Sequence, residues 1–240
     1  MILVDAMGGD NAPLEIIRGC IDGVREFDLD KIILVGKEAE IEQILADEVA
    51  DMSRFEIIGA DDVIHTEESP VSAIKKKKDS SMVKGLEHIR QNPEDVFISA
   101  GNTGALMAGS LLKVGRIKGV GRPALAPIIP TIKEEMLLID AGANADCKPE
   151  NLVQFAIIGS IYMEKVRGKS NPRVGLLNIG VEETKGNELT KATFKRLSQL
   201  EGINFIGNIE ARNILYGEVD VLVCDGFVGN TILKLIEGVA

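Results

Sequence analysis

Tryptophan is absent from this 240-residue sequence, and Phe, Trp and Tyr together make up only 4% of it. A core must then be built from Ile, Leu, Val and Ala, as in parallel sheets buried on both faces. Positive charge is also scarce. There are 27 Lys and Arg against 37 Asp and Glu, a formal net charge of −10. That excludes general nucleic-acid binding, which requires a basic footprint, and leaves room only for a local basic patch. The cysteines are few, odd in number and far apart (Cys20, Cys147, Cys224), and His65 and His88 stand alone. No CxxC pair or Cys/His cluster is present. A disulfide framework or zinc site is therefore not expected, and a reducing cytoplasm fits best. The longest uncharged run, Val96–Leu112, is broken by Ser, Asn, Thr and Gly, which is wrong for a membrane span. Met1–Asp5 lacks the basic region and apolar stretch of a signal peptide.

What the sequence does have is short apolar runs that alternate with amphipathic segments. Ile2–Val4, Lys31–Gly36 and Phe55–Gly59 read as strands, with helical spacing over Leu14–Val24 and Ala39–Leu45 between them. The β-α-β-α-β order predicts a doubly wound parallel sheet. Ser80 or Ser81 is placed to cap a helix running to Arg90. Further strands are expected at Val96–Ile98, Glu135–Asp140, Val174–Asn178, Asn204–Ile206 and Val219–Cys224. The internal proline of Pro123–Pro130 marks an edge or irregular strand. Helices are expected over Asn151–Val166 and Thr231–Glu237, with a short one at Glu210–Tyr216. The Asn151–Val166 helix is apolar on most faces, as in a central or interface helix.

The segment Ser99-Ala100-Gly101-Asn102-Thr103-Gly104 links a strand to a helix. Glycines there let backbone approach a ligand, and a helix N-terminus offers free N–H groups. By itself it reads equally well as a tight turn. It is neither a Walker A loop nor GxGxxG. Four other predicted strand ends share its Gly, Asn and Asp chemistry: Asp5–Asn11, Asp140–Lys148, Asn178–Asn187 and Asp225–Asn230. Such loops line the carboxyl edge of a parallel sheet, where ligands bind, and together they suit phosphate. Lys185 lies in one of them, as either a surface lysine or a cation for an anionic ligand. Cys147 and Cys224 stand at strand ends; a buried small hydrophobe is the simpler reading than a thiol nucleophile. The run Lys75–Lys78 reads locally as a solvated helix end.

Several segments resemble the bacterial phosphate acyltransferase (PlsX) family. They are Asp5-Ala6-Met7-Gly8-Gly9-Asp10, Ser99–Ala105, Leu177–Gly180 with Lys185-Gly186, and Val223–Asn230, with Asp79–Met82 and Arg122–Leu125 beside them. They occur in order along most of the chain. The resemblance implies a three-layer α/β/α sandwich with a mostly parallel sheet, like the isocitrate/isopropylmalate dehydrogenases and phosphate acetyltransferases. It implies transfer of a long-chain fatty acyl group from acyl carrier protein to inorganic phosphate, with no metal or cofactor. The acyl phosphate formed would feed a membrane glycerol-3-phosphate acyltransferase in phospholipid synthesis.

The same resemblance implies a cytoplasmic homodimer that associates peripherally with the membrane through a region this sequence lacks. A single domain over 1–240, incomplete at its C-terminal end, is therefore expected. Lys185 and Asn230 are the expected catalytic residues. Substrate contacts are expected from Asp5, Gly8, Gly9, Asp10, Lys78, Ser81, Ser99, Gly101, Asn102, Thr103, Gly104, Asn178, Asp225 and Gly226. Among these, Asp5, Asp10 and Asp225 would hold loops in shape. Lys75–Lys78 and Arg122 would face the acidic carrier protein or phosphate. The alternatives are an acyl-CoA-dependent phosphate acetyltransferase-like enzyme, a metal- and NAD-dependent dehydrogenase, and a non-catalytic carrier-protein-binding form. The dehydrogenase needs clustered Asp and Arg residues that the sequence does not display.

Overall fold

The computed structural model describes residues 1–239. The chain divides into two compact units, Met1–Gly115 and Arg116–Ala240. Unit 1 contains β1 (Ile2–Asp5), α1 (Leu14–Glu26), β2 (Ile32–Gly36), α2 (Glu38–Asp47) and β3 (Phe55–Gly59). It continues with α3 (Pro70–Lys76), α4 (Ser81–Gln91), β4 (Val96–Ile98) and α5 (Thr103–Gly109), which runs into a π-helical turn, Ser110–Val114. Its four strands pair in the order β3-β2-β1-β4, all parallel.

Alternation along the strands feeds two cores. Val4, Ile32 and Leu34 pack with Ile17, Ile21 and Val24 of α1 and Ile41 and Leu45 of α2. Leu3, Ile33 and Val35 point the other way, towards Ile89 of α4 and Phe97. On that face Ile74, Val83, Leu86 and Ala105 join α3, α4 and α5. The period of two places successive side chains on opposite faces, so a run of Ile, Leu and Val with no polar alternation is buried on both. Ser80 caps α4 by accepting from the Val83 N–H, as its sequence position suggested.

Unit 2 contains β5 (Ile128–Pro130), β6 (Glu135–Ile139), α6 (Pro149–Lys165), β7 (Arg173–Asn178) and α7 (Glu188–Leu197). It ends with β8 (Asn204–Glu210), a 3-10 turn (Ala211–Tyr216), β9 (Val221–Val223) and α8 (Gly226–Val239). Its sheet order is β5-β6-β9-β7-β8, with only β5 antiparallel. Pro130 sits on that edge strand, where a missing N–H costs no ladder bond. One face packs Leu137, Ile139, Val174, Leu176, Val221 and Val223 against α6 and α7. The other packs Met136, Leu138, Leu177 and Leu222 against Ile232, Leu233 and Ile236 of α8.

Three local expectations shift. The strand at Asn204 runs on to Glu210, because Ile206 bulges out between the pairs Val174–Phe205 and Gly175–Gly207 and pairing resumes beyond it. Pro13, which by its type suits the N1 position with Asn11 or Ala12 near the cap, is itself the N-cap of α1, with the helix starting at Leu14. The last helix begins at Gly226 rather than Thr231, so Asn230 lies inside a helix and not in a loop. The glycines that read as a turn instead let the helix start close against a neighbouring loop. Among the described residues, no helix is long and apolar enough to cross a membrane.

Candidate active site

The five Gly/Asn/Asp loops all follow strands, two at the carboxyl edge of the unit 1 sheet and three at that of unit 2. In unit 1, β1 ends in Asp5, which is 2% exposed. Its Oδ1 accepts from the Met7 N–H at 3.2 Å, and its Oδ2 accepts from the Ser99 hydroxyl at 2.7 Å. Ser99 Oγ in turn accepts from the Gly101 N–H at 3.2 Å. The loops after β1 and β4 are thus joined directly. Gly8 lies in the join: a Cβ there would stand 2.7 Å from Asp5 Oδ2, 2.9 Å from Gly101 N and 2.9 Å from Ser99 Oγ. Only glycine fits that close approach.

Asn102 caps α5, its Oδ1 accepting from the Ala105 N–H at 2.9 Å. Its amide nitrogen donates to the carbonyls of His65, Thr66 and Glu68. That side chain is committed to shaping the loop. The exposed groups are Thr103 and Gly104, whose N–H groups in the first helical turn have no intrahelical acceptor. Asp10 is exposed, Gly9 half-buried, and Gly101 lines the Gly8 contact. Ser81 is buried, with its N–H on the Asp62 carbonyl.

The lysine run divides. Lys77 turns inward, donating to the Val63 carbonyl and to Glu68 Oε1, both at 2.6 Å. Its ammonium is the first cause holding the Glu68 carboxyl below the usual range. Lys75, Lys76 and Lys78 are exposed, and none makes an ion pair among the described residues.

Unit 2 is organised by a residue that the sequence placed at a strand end but not among the expected site residues. Asp140, fully buried, accepts five hydrogen bonds. Oδ1 takes the N–H groups of Leu125, Gly142 and Ala143, and Oδ2 takes the N–H and side-chain amide of Asn144. The signal in the sequence was a strand ending in Asp followed by Ala-Gly-Ala-Asn, a run of small residues that frees backbone N–H groups to fold onto one carboxylate. The start of α8 lies on this loop. Gly226 donates to the Asn144 carbonyl at 2.8 Å, and a Cβ on Gly229 would run into the Asp140 carbonyl oxygen. Asp225 begins the helix, its Oδ1 accepting from the Val228 N–H at 3.0 Å. Asn230 is exposed one turn on, beside Gly142.

The third loop holds Lys185. Asn178 Oδ1 accepts from the Ile179 N–H and its amide donates to the Lys185 carbonyl. Asn208 on β8 donates to the Glu182 carbonyl at 3.0 Å, which also accepts the Lys185 N–H. Two amides therefore pin the loop, while the Lys185 side chain is exposed with no ion pair among the described residues. Arg122 donates to the Asp146 carbonyl at 2.9 Å.

The cysteines are poor nucleophiles. Burial pushes the Cys224 thiol far up, with Asp225 and Asp140 adding to it, and burial raises Cys147 too. Cys20 is pushed up to about 11 by burial alone. A thiol held protonated in this way packs as a small hydrophobe.

A family model described as "Fatty acid synthesis protein" matches residues 1–240. A phosphate acyltransferase of Clostridium tetani is 54% identical over 239 residues, covering 100% of this chain and 71% of the relative. One from Thermoanaerobacter pseudethanolicus is 52% identical, covering 100% and 70%. Among solved structures, a phosphotransacetylase from Staphylococcus aureus superposes with a TM-score of 0.69 at 16% identity, over 100% of this chain and 82% of that one. A 4-hydroxythreonine-4-phosphate dehydrogenase from Burkholderia phymatum gives 0.57 at 12%, over 98% and 83%. The fold is thus the α/β sandwich those proteins share. Sequence identity above half, along the whole chain, establishes more: this chain belongs to the fatty acid synthesis protein family, the family of the bacterial phosphate acyltransferases.

Proposed function

We propose that this protein transfers a long-chain fatty acyl group from the thioester of acyl carrier protein to inorganic phosphate, forming acyl phosphate. The observation that carries this reading is the match to phosphate acyltransferases along the full chain. The chemistry asks little of the protein. Phosphate is an anionic nucleophile and a thioester is already activated. A phosphate oxygen attacks the carbonyl carbon, the tetrahedral oxyanion collapses, the C–S bond breaks and the pantetheine sulfur leaves as thiolate. Binding energy is then best spent on position and on charge.

Lys185 supplies an exposed cation on a pinned loop, to offset phosphate charge or protonate the leaving thiolate. Asn230 offers an exposed amide to orient phosphate or the oxyanion. Thr103 and Gly104 offer a hydroxyl and unspent N–H groups for phosphate. Asp5, Ser99, Asn102, Asn178, Asp225, Gly8 and Gly226 act as shapers of the loops. Lys75, Lys76 and Lys78 form an exposed basic stretch suited to an acidic carrier protein. The reading includes a cytoplasmic homodimer whose product passes to a membrane glycerol-3-phosphate acyltransferase.

The test is to incubate the protein with palmitoyl carrier protein and phosphate and to measure free carrier-protein thiol. Phosphate-dependent release is expected. Turnover of acetyl-CoA in its place would favour the acetyltransferase, and tight carrier binding without turnover would favour a binding role.

A further inference from the structure

In unit 2, β7 and β9 lie side by side but send their helices in opposite directions. α7 packs on the face of Val174, Leu176, Val221 and Val223, and α8 on the face of Leu138 and Leu222. Neighbouring strands whose connections diverge leave a crevice at their carboxyl ends. A cavity of about 440 Å³ occupies that crevice, within the range of roughly 300–1,000 Å³ typical of small-molecule sites.

Its walls are Leu152, Leu177, Ile179, Phe227, Val228 and Ile232, and no Lys or Arg lines it. The one charged residue in the lining is Asp225. A carboxylate without a cation repels phosphate, so an anion is the wrong occupant. Asn178 also lines the cavity, but its amide is spent on the Lys185 loop. At the mouth, Ile179 and Phe227 are 79% and 70% exposed, large apolar side chains facing water where a monomer gains nothing from them. Gly186 and Asn187 line one side directly after Lys185. The cavity thus has an apolar body and, at Gly186 and Asn187, an edge that belongs to the loop carrying the unpaired lysine.

We infer that this cavity seats the hydrocarbon tail of the acyl donor, with the thioester at the edge formed by Gly186 and Asn187. The inference rests on the acyl-transfer reading above and deepens it by giving the fatty chain a place separate from phosphate. The lining ranks acyl chains by the number of methylenes it removes from water, and the cavity length sets the limit.

The experiment uses butyryl, octanoyl, lauroyl and palmitoyl pantetheine thioesters, titrated calorimetrically into the protein without phosphate. In the wild type, affinity should rise with chain length by up to about fourfold per buried methylene. Thr231→Trp and Ala211→Trp each place an indole in the cavity from an exposed position with no part in the reaction. Each should weaken palmitoyl binding by about tenfold or more and leave butyryl binding unchanged, with a native circular dichroism spectrum. A wild type without chain-length dependence, or folded variants that keep the full dependence, would overturn the inference. The same samples with phosphate separate the two readings. Chain-length-dependent, Trp-sensitive binding without thiol release sinks acyl transfer and keeps the cavity assignment. Turnover indifferent to chain length and to both variants does the reverse.

Discussion

Both sheets contain the same topological device and finish it in opposite ways. In unit 1 the diverging neighbours are β1 and β4, whose helices α1 and α5 pack on opposite faces. The crevice there is closed by polar contact: Asp5 reaches across to Ser99, and Gly8 lies against Gly101. In unit 2 the neighbours are β7 and β9, and their crevice is open and apolar. The difference lies in where each strand-end side chain turns. Asp5 bonds to the adjacent loop, whereas Asn178 and Asp225, at the ends of β7 and β9, each bond within their own. The β7–β9 pair is instead clamped at its other end, where Asp220 binds Arg173 through Oδ1 and Oδ2. One topology therefore yields a rigid polar platform or a hydrocarbon slot, depending on three or four side chains.

The harshest way to break the contrast is Gly229→Ala. A methyl group has no space beside the Asp140 carbonyl, so α8 must move off the loop and the cavity wall goes with it. A loss of about 4 kcal/mol or more is expected, read from urea midpoints.

Asp220→Ala removes the clamp at the amino end and leaves Arg173 without its partner. About 3 kcal/mol is expected, at the low end for a buried pair because Arg173 is partly exposed. Burial alone would raise the Asp220 carboxyl; hydrogen bonds and charge from Arg173, with Lys169 behind it, outweigh this and hold it below its ordinary value. A depressed carboxylate stabilises fully above its unfolded pKa, about 3.9, and that stabilisation fades as pH falls through the lower folded value. The wild-type advantage over Asp220→Ala should therefore be constant near neutrality and shrink in strong acid, as urea midpoints across pH will read.

Lys185→Ala should sharpen the contrast by separating chemistry from structure. A loss of about 100-fold in kcat is expected, with stability changed by no more than about 0.5 kcal/mol because the side chain is exposed and unpaired. An unchanged kcat would remove Lys185 from the reaction. Asp5→Ala should cost less stability than Gly229→Ala or Asp220→Ala, about 2 kcal/mol by the same urea measurement, since only the Ser99 hydroxyl and the Met7 N–H lose their acceptor. A loss as large as that of Gly229→Ala would mean that the polar crevice, and not the open one, is the more tightly built.

Much of this was legible from residue patterns. Ile32–Gly36 and Glu135–Ile139 are strands because the apolar runs Ile32–Val35 and Met136–Ile139 suit a sheet covered on both faces. Ser80 caps its helix through a purely local hydrogen bond. Asn230 misled because Asp225-Gly226-Phe227-Val228-Gly229 has the composition of a turn. Its glycines are there to admit the 140–144 loop, a contact made with residues more than eighty positions away. Asn102 read only as part of a strand–helix loop and a substrate contact; its three carbonyl partners at 65–68 are out of reach of any pattern. Asn208 gave no signal at all, since a lone Asn in a strand has meaning only beside the Lys185 loop.

The sequence by itself determined the strands, the helices, the parallel class and the family, since each rests on local periodicity or on contiguous motifs. Only the tertiary structure decided which glycines admit a neighbouring loop. It also decided which of two like crevices stays open, and that Lys77 serves the fold while Lys75, Lys76 and Lys78 face water. The physical reason is range. Periodicity and caps act within a few residues, whereas hydrogen-bond satisfaction and packing are settled by whatever the fold brings alongside.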